Sequence, residues 1–590
     1  MKNNYDKFPV VQVTQSDEDC VAGWEQIAAA LQPSIAGRFR CVLVLECYPG
    51  VDLEEIRREL LARLRPDACI LAADVLKDAK ELEAQFAPIL GNDPVFARMQ
   101  RWTIADFFSL ERLQSARSRM HSHENGLIVV VGTGAAEIAQ EWDILIYADL
   151  ARWEIQRRQR GHRIGNLGAD NSQASARELY KRAFFMDWRV ADAIRLDVFE
   201  KIDIFLDSNV PDSPLMVAGT LYRHGLKKTC ERPFRVVPFF DPGPWGGEWM
   251  RTHFDLPKEP PNFAWCFDCV PEENSLRLGF GSRAIEVPAI TLVHQHPEDL
   301  LGAEIRRRFG AEFPIRFDFL DTVGGGNLSL QVHPLKSFIQ EKFGMPYTQD
   351  ESYYMLDAEP DAVVYLGLKE NVNRNRMEQD LRSAQAGERP FPAEKYVNAW
   401  PVKKHSHLSI PAGTVHCSGR NGLVLEISAT PYIFTFKLWD WDRLDLDGKP
   451  RPIHLDYGLE NVQWDRTTEW VRENLIDLVH PVASGPGWRE ESTGLYKSEF
   501  IETRRHWFTG PVEHDTQGTL NVLNLVEGEQ VVVESPREAF EPFTVHYAET
   551  FIVPAAVGKY RISPLREIKT PLATIKAFVR VERTDQSVDL

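Results

Sequence analysis

The stretch Leu328-Ser-Leu-Gln-Val-His-Pro334 decides the fold of the second half of the chain. Apolar and polar residues alternate in it, which is typical of a β-strand with one buried face. Gln331 and His333 are two positions apart, so both side chains point to the same face of that strand. Either residue alone is more often a packed or surface side chain than a metal ligand, so the neighbouring segments are needed to indicate a site.

Two later segments carry further residue types that ligate metals. Residues 350–356 (DESYYML) predict a second strand, which begins with the carboxylates of Asp350 and Glu351. Residues 410–416 (IPAGTVH) predict a tight turn that presents His416 from the following strand. Two imidazoles, one carboxylate and one amide oxygen form a donor set that suits Zn²⁺ or a similar divalent ion with an open position for a substrate.

The pattern around these segments is rich in β-strands. From about residue 235 to the C-terminus, short alternating runs separated by turn residues predict all-β barrels or sandwiches. A helical insert is predicted at about 369–399. The predicted domains are 1–234, then 235–460 with the insert and the metal site, then 461–590 as a smaller β domain.

The first 234 residues have a different pattern of apolar and polar residues. Continuous apolar runs alternate with amphipathic stretches that predict helices, and strands buried on both faces are typical of a parallel α/β sheet. The predicted strands are 41–45, 68–72, 127–131 and 144–147.

Composition excludes several classes of protein. The chain has 590 residues, with 68 Lys and Arg against 86 Asp and Glu, so its formal charge is −18. An acidic surface repels phosphate backbones, so we expect no nucleic-acid partner. No apolar run approaches the ~20 residues of a membrane helix, and no signal peptide is evident. The 8 scattered cysteines fit a reducing compartment, so we expect a cytoplasmic protein; a homo-oligomer is left open.

Taken in order, these motifs resemble type I mannose-6-phosphate isomerases. The resemblance covers about 240–460 well and 490–590 loosely, and it includes Trp245-Gly-Gly247, Leu425-Glu-Ile427 and Asp440-Trp-Asp-Arg-Leu-Asp445 besides the segments quoted above. It implies a zinc-dependent cupin protein with tandem β-barrels. Carried over by position, the resemblance implies that one Zn²⁺ per chain is bound by Gln331, His333, Glu351 and His416.

The resemblance also implies an activity, the interconversion of mannose 6-phosphate and fructose 6-phosphate through an enediol. It implies proton transfer by Glu426, whose alternative role is a structural glutamate paired with a base on a barrel strand. Lys437 matches a catalytic position and carries substrate charge in this interpretation. The implied substrate-binding residues are Ser329, Gln349 and Arg443.

Two of these positions depart from the family pattern. The family usually has a lysine where this chain has Gln349, and an arginine where this chain has Lys437. A neutral amide cannot balance an anion, and lysine binds phosphate as a point charge rather than as a bidentate fork. The departures indicate a redistributed positive charge or a different substrate.

The N-terminal region resembles the uridine kinase and phosphoribulokinase group of P-loop kinases over about 39–225. A working phosphate loop ends in Lys and Ser or Thr, whereas Asp52, Leu53 and Glu54 stand there in this chain. We therefore expect a degenerate kinase-like domain without ATP turnover. An arginine cluster falls where the group has its lid, and it predicts either a solvated helix face or a retained anion site; its members are Arg152, Arg157, Arg158, Arg160 and Arg163.

Together these features predict an α/β P-loop-kinase-like domain followed by mainly-β tandem cupin (jelly-roll) domains with a helical insert. The predicted function is a zinc-dependent sugar-phosphate isomerase with a small-molecule sugar phosphate as its partner. Two alternatives remain open. One is an isomerase of a different sugar or sugar phosphate, and the other is a non-catalytic regulator that binds a sugar phosphate.

Overall fold

The computed structural model describes residues 4–430, 432–494, 496, 499–566, 568 and 570–581. The chain divides into two compact units. The N-terminal unit consists of Val10–Thr229 and Glu272–Gln295. The β-rich unit consists of the chain up to Pro9, Cys230–Pro271 and the chain from His296 onward.

The strands are numbered in chain order. They are β1 Val10–Thr14, β2 Cys20–Ala22, β3 Arg40–Cys47, β4 Ala68–Leu71, β5 Gly126–Gly132, β6 Ile144–Asp149, β7 Ile204–Asp207, β8 Leu215–Ala218, β9 Phe239–Asp241, β10 Trp265–Cys269, β11 Ser275–Phe280, β12 Arg283–Pro288, β13 Arg316–Asp321, β14 Leu330–Val332, β15 Asp350–Ala358, β16 Val363–Leu368, β17 Val397–Pro401, β18 His407–Ile410, β19 His416–Ser418, β20 Gly422–Ala429, β21 Phe436–Trp439, β22 His480–Gly485, β23 Trp488–Ser492, β24 Ile501–Phe508, β25 Val512–Asp515, β26 Asn521–Glu527, β27 Gln530–Glu534, β28 Phe543–His546, β29 Thr550–Val553, β30 Lys559–Pro564 and β31 Leu572–Val579.

The α-helices are numbered in the same way. They are α1 Trp24–Ala36, α2 Leu53–Ile56, α3 Ala62–Leu64, α4 Ala79–Leu90, α5 Leu110–His121, α6 Ala135–Ala139, α7 Arg152–Arg160, α8 Ala176–Arg182, α9 Trp188–Val198, α10 Gly219–Thr229, α11 Trp249–Phe254, α12 Ile290–Gln295, α13 Pro297–Leu301, α14 Ala303–Phe309, α15 Lys336–Phe343, α16 Arg374–Gln385, α17 Ala393–Tyr396, α18 Leu455–Asn461 and α19 Thr468–Asn474. Within the described residues, none of these helices combines the length and apolarity that crossing a bilayer requires.

The N-terminal unit is built on a seven-stranded sheet in the order β2-β8-β7-β6-β3-β5-β4. The pairs that join β4, β5, β3, β6 and β7 are all parallel, whereas β8 and β2 pair antiparallel at one edge. Val44 of β3 and Val130 of β5 are cross-strand partners and are both fully buried. The parallel α/β sheet predicted from the apolar runs is therefore present.

A second, three-stranded sheet completes the N-terminal unit and changes the expected domain division. β1 pairs parallel with β11, and β11 pairs antiparallel with β12. Residues 272–295 therefore fold with the first 229 residues, although the sequence placed them in the second domain. The alternating pattern of these strands predicted their conformation, but a pattern alone does not reveal that the partner strand lies near the N-terminus.

The first half of the β-rich unit contains two sheets. One has the order β18-β15-β20-β13-β10-β9, and the other has the order β17-β16-β19-β14-β21. His333, which directly follows β14, and His416 of β19 contact Glu351 at the start of β15 in the first sheet, so the two sheets face each other. The predicted helical insert corresponds to α16 and α17, which lie between β16 and β17.

The last hundred residues form a second pair of sheets, β22-β23-β24-β31-β26-β29 and β25-β30-β27-β28. Side chains from both sheets share one apolar core, in which Leu523, Val531 and Phe551 are fully buried. The β-rich, multidomain architecture expected from the sequence is thus confirmed. Contacts group both pairs of sheets into one unit rather than separating them near residue 460.

Candidate metal centre

Three potential ligands come from three strands of the two facing sheets. His333 directly follows β14, His416 begins β19, and Glu351 is the second residue of β15. β14 and β19 are neighbours, and Gln331 of β14 is the cross-strand partner of His416. Glu351 reaches the two histidines from the opposite sheet, so the site lies between the layers.

The three side chains converge closely. The Nε2 atom of His333 lies 3.0 Å from Oε2 of Glu351, and the Nε2 atom of His416 lies 2.9 Å from Oε1. One ligand atom from each residue can be chosen so that all lie within 4.8 Å of one another. All three residues are fully buried. The sequence had singled out each of them, and the structure brings them together.

Backbone carbonyl groups fix the orientation of both imidazoles. Nδ1 of His333 lies 2.8 Å from the carbonyl oxygen of Phe434, and Nδ1 of His416 lies 2.8 Å from that of Thr414. A carbonyl oxygen can only accept, so each Nδ1 carries the proton. Each Nε2 atom is then left with its lone pair directed towards the centre, which is the form of histidine that binds metals.

The turn that precedes His416 is tied to His333. The N–H group of Gly413 donates to the carbonyl oxygen of His333 over 2.9 Å. Gly413 has φ +87°, and a Cβ atom there would lie 2.9 Å from the carbonyl oxygen of Asn461. Glycine is therefore required in this turn, as the predicted Pro-x-Gly-x-x-His pattern suggests.

The charges of the centre fit a divalent cation. Burial raises the pKa of Glu351, but the two imidazoles lower it by more than burial raises it. The pKa of Glu351 therefore lies well below the usual range. Burial lowers the pKa of His333, and Glu351 more than offsets this, so its pKa is raised. Among the described residues, Nε2 of His333 and Oε1 of Glu351 have no hydrogen bond of acceptable angle despite their short contacts. Buried donor atoms that converge without satisfying each other are what a bound cation would require.

Gln331, the fourth residue of the predicted ligand set, lies beside the centre. Its Nε2 atom is 3.3 Å from Nε2 of His416, and its side chain is nearly buried. A half-turn of the amide group would place Oε1 at the same position, because the two ends of an amide have almost the same shape.

The predicted substrate residue Gln349 is held inside the site. Its Nε2 atom donates to Oε2 of Glu351 over 3.0 Å. Its Oε1 atom accepts from the N–H group of Phe434 over 3.1 Å and from the hydroxyl group of Thr430 over 3.3 Å. The backbone of Phe434 thus holds His333 through its carbonyl oxygen and Glu351, by way of Gln349, through its N–H group.

The two predicted catalytic residues lie on strands that border the centre. Glu426 on β20 is the cross-strand partner of Tyr353 on β15 and shares the sheet face of Glu351. Burial, followed by the charges of Asp318 and Glu351, raises its pKa well above the usual range. Lys437 on β21 is the cross-strand partner of Gln331 and is half-buried.

The structure brings Ser329 and Arg443 together, but around a different residue. The hydroxyl group of Ser329 donates to Oδ1 of Asp440 over 3.1 Å, and Nη2 of Arg443 lies 2.7 Å from the same oxygen. Asp440 is also 3.3 Å from Nη1 of Arg451. Among the described residues, no hydrogen bond or ion pair of Ser329 or Arg443 leads to the two histidines or to Glu351.

Sequence reasoning missed two features of this centre. One is the pair of backbone groups of Phe434, its N–H and its carbonyl oxygen, since a backbone contact leaves no pattern in the sequence. The other is Asp318 on β13, the cross-strand partner of Glu426. Asp318 is two positions from Arg316 in a strand-like run, so the sequence could have shown that these two residues share a face. The pairing of Asp318 with Glu426 depends on a register that the sequence does not specify.

The arginine cluster of the N-terminal unit is largely neutralised within that unit. Arg152 and Arg158 are buried; Nη2 of Arg152 lies 2.7 Å from Asp192, and Nε of Arg158 lies 2.8 Å from Glu154. Glu154 also lies 2.6 Å from Arg157 and 3.5 Å from Arg163. A solvated helix face is therefore wrong for Arg152 and Arg158.

Comparisons with known proteins match parts of the chain. A domain of unknown function (DUF8485) matches residues 23–231. A mannose-6-phosphate isomerase of Streptococcus mutans is 22% identical over 333 residues, which are 55% of this chain and 93% of that protein. Mannose-6-phosphate isomerase ManA of Bacillus subtilis is 22% identical over 344 residues, which are 57% of this chain and 97% of that protein.

Two solved structures are also similar to part of the chain. The mannose 6-phosphate isomerase from Bacillus subtilis has a TM-score of 0.48 and 18% identity, covering 59% of this chain and 99% of that one. A variant of phosphomannose isomerase from Salmonella typhimurium has a TM-score of 0.46 and 15% identity, covering 59% of this chain and 100% of that one.

Proposed function

We propose that the chain is a metal-dependent sugar-phosphate isomerase that interconverts mannose 6-phosphate and fructose 6-phosphate in the cytoplasm. The observation that carries the proposal is the convergence of His333, Glu351 and His416 between two sheets. It is supported by relatives named mannose-6-phosphate isomerase that align over nearly their whole length.

The residues present fit a bound Zn²⁺ ion, which we propose as the cofactor, one per chain. His333, His416 and Glu351 would hold it, with the amide oxygen of Gln331 as the fourth donor, and this nitrogen and oxygen set suits zinc. When bound, such an ion supplies a Lewis acid that polarises the carbonyl oxygen of the sugar and stabilises negative charge on the oxygens of its first two carbons.

Glu426 is the proposed proton-transfer group. Isomerisation of an aldose to a ketose moves a proton between adjacent carbons, so a single carboxyl group can take it from one carbon and return it to the other. Glu426 shares the sheet face of Glu351 and lies one strand away from it. Burial among other carboxyl groups excludes water, which protects a carbanion-like intermediate from side reactions.

Lys437 is the proposed contact for the negative charge of the substrate. Gln349 is neutral and bonded to Glu351, and Arg443 is paired with Asp440. Lys437 stands next to Gln331 across the strand pair, on the sheet that carries both histidines. Ser329, Gln349 and Arg443 then act mainly by shaping the walls of the site.

The contacts of Gln349 with Glu351 and of Arg443 with Asp440 favour an alternative, the isomerisation of a different sugar. Fewer cations face the centre than the family pattern provides, so a different or less charged sugar is the second candidate substrate. A non-catalytic regulator that binds a sugar phosphate is distinguished from both by the absence of turnover.

For the N-terminal unit we propose a degenerate kinase-like domain that does not turn over ATP. The end of β3, where a phosphate-binding loop would begin, carries the buried carboxylate of Glu46. This carboxylate accepts the N–H groups of Gly134 and Ala136, over 2.6 and 2.8 Å. Two backbone donors that follow β5 are thus already occupied by a carboxylate at the end of β3. Calorimetric detection of micromolar ATP binding with phosphoryl transfer would refute this proposal.

The isomerase proposal is tested with the full-length, zinc-loaded protein. Conversion of mannose 6-phosphate to fructose 6-phosphate is measured beside an EDTA-treated sample and a His333→Ala variant. We expect turnover in the first and none in the other two. His480→Ala, an exposed histidine on β22, is the matched control and should retain wild-type turnover. Absence of turnover in the zinc-loaded wild type contradicts the proposal and favours another sugar or a regulator.

A further inference from the structure

A row of polar side chains crosses the six-stranded sheet next to the proposed metal centre. β13, β20 and β15 are neighbours, and Asp318, Glu426 and Tyr353 are successive cross-strand partners on them. The parallel row beside it contains Glu351 and its partner Ser428. Residues that are opposite each other, or two apart on one strand, share a face of the sheet. Asp318 and Tyr353 therefore point to the same side as Glu351.

Burial distinguishes the two ends of this arrangement. Glu351 and Tyr353 are fully buried, whereas Asp318 and Glu426 each keep 8% of their surface exposed. Gln331, across the centre on the other sheet, also keeps 8%. The carboxyl pair is thus the more accessible part of the row.

Two members of the row have unused hydrogen-bonding capacity. Within the described residues, Asp318 makes no hydrogen bond or ion pair, although Arg316 on its own strand and Glu351 act on it electrostatically. The hydroxyl group of Tyr353 is buried near the carboxylate of Glu351 but makes no hydrogen bond of good geometry among those residues. Buried polar groups are normally satisfied, and carboxylates directly opposite each other repel, so this row calls for a ligand.

The chemistry of the row selects the ligand. Carboxyl oxygens accept hydrogen bonds from hydroxyl groups, and a phenolic hydroxyl can both donate and accept. A phosphate group would be repelled by the carboxyl pair. A neutral, polyhydroxylated carbon chain satisfies all of these groups.

We propose that Asp318 contacts the substrate, and that Asp318, Glu426 and Tyr353 bind the hydroxyl groups of an open-chain sugar beside the metal centre. This inference rests on the proposed function and deepens it by assigning the polyol portion of the substrate to β13, β20 and β15. The phosphate group is then directed away from this row. Asp318 is thereby a residue that determines specificity for the sugar chain.

The test uses the zinc-loaded full-length protein and two unreactive probes, glucitol 6-phosphate and glucitol, which lack a carbonyl group. Binding is measured by calorimetry for the wild type, Asp318→Asn and Asp318→Ala. We expect Asp318→Ala to weaken binding at least 10-fold, because a hydrogen bond to a carboxyl group is lost. Asp318→Asn should weaken it only a few-fold, since the amide still accepts and donates.

Two controls separate substrate contact from structural damage. The zinc dissociation constants of both Asp318 variants should stay within 3-fold of the wild type. Asp361→Asn changes an exposed carboxylate that contacts Asn421 and should leave binding unchanged. If Asp318→Ala binds both probes as tightly as the wild type, or loses zinc to the same degree as the probes, the inference is overturned.

The outcomes also separate this inference from the proposed function. Turnover of mannose 6-phosphate that is indifferent to Asp318→Ala leaves the function standing and removes the role of Asp318. Binding of a polyol that depends on Asp318, without turnover of mannose 6-phosphate, supports the role and removes the function. Failure of the wild type to bind either probe overturns the inference.

Discussion

Replacing Gln349 with methionine tests how the chain holds its proposed metal ligands. Methionine keeps the length and approximate volume of glutamine but cannot make its hydrogen bonds. The variant loses the bond of 3.0 Å to Glu351 and the bond of 3.1 Å from the N–H group of Phe434. The carbonyl oxygen of the same residue, Phe434, orients His333, so two ligands on two sheets lose their common support.

The size of the effect follows from these contacts. Loss of a partner that orients a metal ligand typically weakens metal affinity 10–100-fold. Two ligands are affected here, and the N–H group of Phe434 is left without its acceptor, so we expect about 30-fold or more, equivalent to about 2 kcal/mol. Glu351 remains anionic, so binding is weakened rather than abolished.

The assay is competition between the protein and a chromogenic chelator for Zn²⁺. Gln340→Met is the matched control, because Gln340 is an exposed glutamine on α15. Among the described residues, its side-chain amide bonds only to the carbonyl oxygen of Pro346. We expect its zinc affinity to equal that of the wild type. A Gln349→Met variant with a zinc dissociation constant within 2-fold of the wild type would refute the reasoning.

Two further predictions concern charged residues. Lys437→Ala should raise the KM for mannose 6-phosphate at least 10-fold while zinc affinity stays unchanged; steady-state kinetics with wild-type KM and kcat would contradict the role of Lys437. Burial raises the pKa of Glu46 from 4.5, its value in an unfolded chain, to about 7 in the folded protein. The folded state therefore binds this proton more tightly than the unfolded state does. The contribution of Glu46 to stability is consequently lost as pH rises from about 4.5 to 7. Glu46→Gln should flatten that part of the pH profile in urea unfolding, and parallel wild-type and variant profiles would exclude this contribution.

Some elements of the structure could be predicted because their signal is local. β3, β5 and β6 are continuous apolar runs, which is what burial on both faces of a parallel sheet demands. The turn before His416 carries its own signature, since only glycine tolerates the backbone conformation of Gly413. The grouping of His333, Glu351 and His416 was expected from residue types and order, and the structure brings the three together.

Other features depend on contacts between distant parts of the chain. Gln349 was predicted to face the substrate, but its amide group bonds to a backbone N–H group in another segment. The position of Asp318 opposite Glu426 requires the register of β13 against β20, and a shift by one residue would turn Asp318 to the other face. The pairing of β11 with β1 is equally non-local. Such features are fixed by tertiary packing rather than by any short segment.

That last pairing has a consequence for the order in which the protein is made. β1 leaves the ribosome early, whereas β11 and β12 follow only after Cys230–Pro271, a segment that belongs to the β-rich unit. At bacterial or eukaryotic elongation rates, the time between the synthesis of β1 and that of β11 is roughly 10–50 s. For that time β1 has no strand partner, and the N-terminal unit cannot be finished until part of the β-rich unit has been synthesised. A fragment ending at Thr229 would contain every strand of the seven-stranded sheet but would lack β11 and β12, the hairpin that pairs with β1.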